Sequence, residues 1–414
     1  MSSQNAADNR NFWFRLSLPF LICLALSAPA LTAAAGLWNP GAILGATISG
    51  SAIVAAAFML GWVGEAAELD LAGGLAVGLL AIVTILPEYV VSIYFAFAAG
   101  KDPSMVQYAS ANVTGANRLL LGFGWPLVAL IAFLAVRAAK PKSLEPQKFG
   151  VYLDPEGRTD LGFLAIASLV AALIPLTGVL HLAVGIVLVA MFVIYLWRQS
   201  HAEREEPELE GTAAMVGSLS KVSRRIFIAV VFLISAGIIL ACAEPFAKDL
   251  IEAGKALGVD QYLLVQWLAP IASEAPEFSL ALIFAAKRKP AMGLAILISS
   301  KVNQWTALAG SLPIAYSLGG GSSALPMDLR QVEEFTLTIA QTLLGIALLL
   351  GMRLGLRSAL LLFALFAVTF VMPQPEVRMW LAMLYFAITA VILIARRQLI
   401  WATLAAPFRL PSSR

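Results

Sequence analysis

The sequence predicts an all-α polytopic membrane protein: an inverted 5+5 repeat of transmembrane helices with about two extra helices. Three observations carry that reading. The 414-residue chain is 60% hydrophobic and 13% charged, with a mean hydropathy of +0.85, whereas a soluble domain carries about 25% charged residues. Apolar runs long enough to cross a bilayer recur along its whole length. One such run occurs twice, around Pro87-Glu88 and Pro276-Glu277, at an offset of 189 positions.

Runs of about 17–25 apolar residues give twelve spans. They start near Phe14, Ile43, Leu71, Ser104, Leu161, Leu180, Ile226, Gln261, Pro290, Phe335, Arg357 and Arg378. The run from Ser104 to Val136 is long enough for two elements. The first span has two readings. Arg10 and Arg15 followed by "LSLPFLICLALSAPALTAAAG" resemble a signal peptide with a small-residue cleavage site, and the preferred alternative is an uncleaved helix. Cys23 and Cys242 both lie in apolar runs and read as small buried hydrophobes.

Two polar interruptions are longer than the rest, Ala139–Asp160 and Arg198–Arg225. Lys and Arg fall mostly in alternate loops. Arg10, Arg15, Lys140, Lys142, Lys148, Arg198, Arg204, Lys221, Arg224, Arg225, Lys287, Arg288, Lys289, Arg353, Arg357, Arg396 and Arg397 share one side. Lys101, Lys248, Lys255 and Arg330 lie on the other. Basic loops stay cytoplasmic, so both termini are expected in the cytoplasm, in a bacterial inner membrane. The net charge of +3 and the lack of a basic tract with interleaved aromatics exclude a nucleic-acid partner. The expected partners are the lipid bilayer and small cations; oligomeric state stays open.

The duplication orders the chain. With Glu88 over Glu277, "LLAIVTILPEYVVSIYFAFA" lies over "LAPIASEAPEFSLALIFAAK", and the same offset carries "SANVTGANRLLLG" onto "SSKVNQWTALAGS". The segments are then 1–42 with an extra helix, 43–197 as the first repeat and 198–225 as a loop. They continue with 226–373 as the second repeat and 374–414 as an extra helix and tail. The first Pro-Glu helix runs outward and the second inward, so the halves are expected to be inverted. That arrangement belongs to secondary transporters, whose sites lie near the midplane where broken helices meet.

Proline removes a backbone donor, so carbonyls near Ala81–Thr84 and Pro270–Ser273 lose helical partners. In hydrocarbon such groups must be satisfied. A neighbouring carboxylate completes an oxygen site for a hard cation, and an ionisable residue at membrane depth marks an ion path. The bland reading of Glu88 and Glu277, carboxylates that only tie helices together, does not account for their duplication beside prolines. Neither "HExxH" nor "GxSxG" occurs, and His181 and His201 fall in predicted turns outside the Pro-Glu repeats, which weighs against an enzyme. A structural or receptor-like protein has no reason to bury charges at duplicated positions.

These residues resemble the calcium/cation antiporters, which include sodium/calcium exchangers. Each of their inverted repeats holds a Thr/Ser-Ser-x-Pro-Glu helix followed by a helix with a Gly-Asn-x-x-Gly-Ser-Asn-type motif. The resemblance covers roughly Ala56–Leu121 and Ser235–Gly310. It implies a ten-helix core in which the two Glu residues coordinate Ca²⁺, carbonyls and hydroxyls bind Na⁺, and two sliding helices alternate access. No cofactor is implied beyond the transported ions, Ca²⁺ and/or Na⁺ and H⁺.

Carried over by position, the metal carboxylates are Glu88 and Glu277, the preceding hydroxyls Thr84 and Ser273, and the later second-helix serine Ser300. The chain departs from the family at Ile85 and Glu274, at Ala111, and at Gly115 and Gln304. Lys301 replaces a family asparagine and takes the place of Asn112, and Arg118 lies two turns below Ala111. Asn112 and Gln304 remain candidate amide ligands. Glu274 is either a third carboxylate ligand or the partner of Lys301. Lys301 and Arg118 are too deep to snorkel easily. A buried ammonium whose pKa falls towards neutrality can couple ion to proton, and a plain structural ion pair is the alternative. Counting both basic groups leaves the site about one charge negative, which suits a monovalent cation better than Ca²⁺. A Na⁺/H⁺ antiporter on the same fold is therefore the alternative function. Glu65, Glu68 and Asp70 read as a solvated turn, and the glycines of "GATISGSA" as close-packing positions.

Overall fold

The computed structural model describes residues 2–70, 86–139, 149–201, 209–372 and 374–409. They are overwhelmingly helical. Among the described residues nine helices are long and apolar enough to cross a membrane: Asn11–Ala34, Ala42–Ala67, Pro103–Ala138, Gly157–Thr177, Leu182–Ser200, Lys221–Leu257, Gln261–Ala286, Leu329–Leu349 and Pro375–Ala395. Two shorter apolar helices, Leu86–Ala99 and Leu356–Val371, occupy further expected spans. So does Pro290–Asn303, which runs through a π segment into Ala309–Leu318. The span expected from Leu71 is described only from residue 86 onward. The long run after Ser104 is one helical stretch rather than two, with a five-residue π segment, Leu120–Gly124, between Val106–Leu119 and Trp125–Ala139. The apolar pattern shows no turn signal there, and the π segment re-aims the helix without ending it.

Clustering in space divides the chain into two compact units, Met1–Val91 with Gln199–Pro276, and Ser92–Arg198 with Glu277–Arg414. Neither unit is a sequence half. Each takes one piece from either of the expected repeats, and the division falls within both Pro-Glu helices.

In the first unit Ala42–Ala67 packs along Lys221–Leu257. The small residues of "GATISGSA" permit the approach: a Cβ on Gly45 would lie 2.2 Å from Asp249 Oδ2, and one on Gly50 would lie 3.0 Å from Phe246. The N-terminal helix is pinned by Phe20, whose ring meets Trp62 and Phe227 edge-on at 5.4 and 5.1 Å. The turn after Ala67 is not simply solvated, as the sequence reading had it. Arg224 donates through Nε and Nη2 to Asp70 at 2.7 and 2.9 Å, and through Nη1 to the Gly217 carbonyl at 2.7 Å. The hydrogen bonds from Arg224 hold the Asp70 carboxyl below the usual carboxylate range.

The second unit is built around Leu329–Leu349, whose buried Phe335, Leu344 and Gly345 face further buried side chains. Gly345 stands against Leu121 and Trp125. Two short antiparallel ladders join loops at helix ends, Gly150–Tyr152 with Arg353–Gly355 and Val179–His181 with Ala324–Pro326. Hydropathy does not reveal three-residue strands. Leu182–Ser200 and Ala309–Leu318 cross closely, since a Cβ on Gly310 would sit 2.6 Å from the Gly185 carbonyl oxygen.

Candidate functional site

Each unit carries part of the expected site. In the first, Glu88 lies in the first turn of the described helix Leu86–Ala99 and is 4% exposed; Thr84 lies outside the described residues. Ser273 and Glu274 are buried on Gln261–Ala286. That helix is continuous although Pro270 and Pro276 lie inside it, so the expected break does not occur. Its neighbouring hydrogen bonds carry the helix past each proline, and what remains is a local loss of donors. Pro276 offers no N–H to the Ala272 carbonyl, while Ser273 Oγ donates to the Ala269 and Pro270 carbonyls at 3.1 and 3.4 Å.

In the second unit Glu277 continues the same helix and is half-buried. Asn112 is fully buried and donates from Nδ2 to Ser92 Oγ at 2.6 Å. Its Oδ1 is buried and accepts no hydrogen bond among the described residues. Buried polar atoms are nearly always satisfied, and an amide oxygen left over is the donor a hard cation takes. Asn117, on the same helix, turns Nδ2 back to the Val113 carbonyl at 3.0 Å. This leaves its two oxygens to the fully buried Lys301, whose Nζ donates to the Asn117 carbonyl at 2.9 Å and to Oδ1 at 3.1 Å. Gln304 is buried in the second π segment, Gln304–Leu308. Ser300 is half-buried one residue before Lys301, and Ser299 Oγ lies 2.9 Å from Tyr195 Oη.

Lys301 thus stands opposite Asn117. The helices Val106–Leu119 and Pro290–Asn303 are 14 residues each and lead into π segments of 5 residues. Lys301 and Asn117 are 184 positions apart, which is also the spacing of those elements. The Pro-Glu motifs are 189 positions apart.

Arg118 also has a partner that the sequence reading missed. Its Nη1 donates to Glu334 Oε2, with both side chains 2% exposed. Arg378 joins them, 3.6 Å from Glu334 Oε1 and donating to Glu333 Oε2 at 2.8 Å. Gln341 Nε2 donates to the Arg118 carbonyl at 3.3 Å, and Gln331 Nε2 donates to Ser110 Oγ at 2.7 Å. The guanidinium is therefore part of a buried ion network and cannot be counted as offsetting the Pro-Glu carboxylates. One signal could have found the network: Gln331, Glu334, Thr338, Gln341 and Thr342 recur at helical spacing. His181 and His201 are exposed. Among the described residues no three His, Cys, Asp or Glu side chains converge as a resident metal centre.

Apolar helices that bury carboxylates, amides and an ammonium define an integral membrane protein. A family model described as sodium/calcium exchanger protein matches residues 41–200 and 227–373. A crystal structure of an H⁺/Ca²⁺ exchanger, CAX, is 37% identical with a TM-score of 0.88, covering 96% of this chain and 98% of that one. The structure of native YfkE, at 18% identity and a TM-score of 0.61, covers 89% of this chain and 99% of its own. The sodium-calcium exchanger NCX_Mj, at 20% and 0.51, covers 80% and 97%. These last two likenesses concern the fold alone. No curated protein sequence matches. The chain is a membrane transport protein, and it belongs to the sodium/calcium exchanger family.

Proposed function

We propose that the protein is a secondary active antiporter that exchanges Ca²⁺ against H⁺ by alternating access, with Glu88 and Glu277 as the carboxylate ligands of the ion. The observation that carries this reading is the near full-length likeness to an H⁺/Ca²⁺ exchanger at 37% identity. Ser273, Glu274, Ser300, Gln304 and Asn112 are proposed as further oxygen ligands, together with Thr84. The buried Asn112 Oδ1 supports that role. Because Glu334 meets the Arg118 charge, Arg118 drops out of the count made from sequence. More than one carboxylate among the proposed ligands, Glu88, Glu274 and Glu277, suits a divalent cation. Protonation of those carboxylates on one side of the membrane is the proposed means by which H⁺ displaces the ion.

The second reading, monovalent cation/proton exchange on the same fold, is favoured by Lys301. An ammonium held on carbonyl oxygens in a membrane core can stand where a bound Na⁺ would. We place both termini in the cytoplasm of a bacterial inner membrane, with 43–197 and 226–373 as inverted repeats.

Flux into proteoliposomes tests the reading. An imposed pH gradient should drive uptake of labelled Ca²⁺, and an imposed Na⁺ gradient should drive less. Glu88→Gln and Glu277→Gln keep side-chain shape but remove the charge that offsets dehydration of the ion, so each should abolish exchange. Wild-type flux in either variant overturns the ligand assignment. Na⁺/H⁺ exchange with no Ca²⁺ flux selects the second reading.

A further inference from the structure

Leu329–Leu349 carries none of the proposed ion ligands, yet it buries Gln331, Glu334, Thr338, Gln341 and Thr342 along one face. Polar groups at membrane depth are costly, and they mark function.

Their partners lie on the two stretches that hold Asn112 and Gln304. Gln331 Nε2 donates to the Val106 carbonyl at 3.1 Å and to Ser110 Oγ at 2.7 Å. The capping box that opens the helix fixes this amide, since Gln331 Oε1 accepts from the Asp328 N–H at 2.8 Å. Gln341 Nε2 donates to the Arg118 carbonyl at 3.3 Å. Val106–Leu119 is thus gripped near both ends by one neighbouring helix, with Asn112 between the grips.

Gln341 and Thr342 grip at the π segments. The Arg118 carbonyl lies just before Leu120–Gly124, and Gly345, one turn beyond Gln341, stands against Leu121 inside that segment. Thr342 reaches the other segment: Trp305 Nε1, within Gln304–Leu308, donates to Thr342 Oγ1 at 3.1 Å. Thr342 Oγ1 itself donates to the Thr338 carbonyl at 2.7 Å, so its proton is committed and a lone pair is left to the indole. Trp305 is fully buried and follows Gln304 directly. A π turn interrupts the regular helical ladder, is rare, and recurs at functional sites. Two adjacent residues of one helix therefore hold both interruptions, one in each ligand-bearing stretch.

We infer that Gln341 and Thr342 are positioning residues of the ion site, which hold the π segments so that Asn112 and Gln304 keep their places. The inference rests on the assignment of Asn112 and Gln304 as ligands proposed above. Affinity of an oxygen site depends on its rigidity as well as on its ligands, so loosening either hold weakens ion binding without removing a ligand.

The test is flux by the full chain in proteoliposomes, read as KM for Ca²⁺ and maximal rate, with unfolding temperature in parallel. Thr342→Val keeps the shape and removes the acceptor, and Gln341→Leu removes the donor. Each should raise KM roughly tenfold, the lower end for groups that hold a ligand in place, while the maximal rate changes little. Thr342→Ser returns the hydroxyl and should return KM to the wild-type value. Thr389 serves as the control, a buried hydroxyl that donates to the Tyr385 carbonyl at 2.7 Å on Pro375–Ala395. Thr389→Val should leave KM unchanged. Should the wild type exchange a monovalent cation instead, KM for that cation is read in the same variants. Asn112→Ala and Gln304→Ala separate this inference from the ligand assignment. If neither raises KM, the assignment fails and the inference with it. If both raise KM while Thr342→Val and Gln341→Leu keep the wild-type value, only the inference is overturned. An equal rise in Thr389→Val, or no recovery in Thr342→Ser, also overturns it, because the effect is then a general loosening of the fold.

Discussion

Lys301 donates from its ammonium to both oxygens of Asn117, the backbone carbonyl and Oδ1, which lie 184 residues earlier in the chain. Each residue lies two places before the end of a 14-residue helix that leads into a π segment. Where Val106–Leu119 holds an amide, Pro290–Asn303 holds a cation seated on it. Taking an ammonium out of water costs several kcal/mol, and the two amide oxygens offset only part of that. A charge kept at such a cost within a transport protein is a candidate for coupling.

Lys301→Gln and Lys301→Met separate fold from coupling. Glutamine keeps a donor for Asn117, whereas methionine leaves two buried acceptors to be satisfied otherwise, at about 1–3 kcal/mol. Thermal unfolding should therefore show the larger loss in Lys301→Met. Lys301→Gln should bind Ca²⁺ more tightly and show a flatter pH profile of flux. Unchanged affinity and pH profile in a folded Lys301→Gln would reduce Lys301 to a structural tie.

Breaking the Arg118–Glu334 pair should be severe. Removing one partner of a buried ion pair costs about 3–5 kcal/mol, because the survivor stays buried and charged. Glu334→Gln should cost more than Arg118→Met, since Glu334 also faces Arg378. The double variant should lose less than the two single losses added, and additive losses in a double-mutant cycle would show that the two groups act separately.

Asp70→Asn tests the loop clamp through pH. Arg224 depresses the Asp70 carboxyl in the folded state. A depressed carboxylate contributes stability that is present above the ordinary carboxylate range, near pH 4. That contribution is lost as pH falls through the lower folded value. Wild type should exceed Asp70→Asn by about 1.5–3 kcal/mol at neutral pH, and the gap should close only in strong acid. A gap that persisted unchanged to pH 2 would mean the carboxylate charge is not its source.

Gly310→Ala should destabilise by about 1–3 kcal/mol. The new methyl would meet the Gly185 carbonyl oxygen at 2.6 Å and the Val189 backbone nitrogen at 3.0 Å, and backbone cannot swing aside as a side chain can. A melting temperature equal to wild type would show that the two helices separate freely.

Much of the fold was legible in the sequence because a bilayer imposes it. Hydrocarbon accepts only long apolar helices whose backbone is internally bonded, so the spans declare themselves in hydropathy. The duplicated Pro-Glu pairs were equally plain, since carboxylates are conspicuous in apolar runs. So were Asn112 and Lys301 as polar residues at membrane depth. The chain could not declare its pairings. Glu334, near the start of an apolar run, reads as an interfacial residue until the fold sets it on Arg118. The seat of Lys301 on the oxygens of Asn117 was hidden as well, because hydropathy records no contact between distant segments. That the compact units each draw on both expected repeats was hidden too. Sequence alone determined which segments enter the membrane and which residues are costly there, because burial in lipid is a property of each segment by itself. Tertiary structure alone decided which charge answers which, because that depends on distances between segments far apart in the chain.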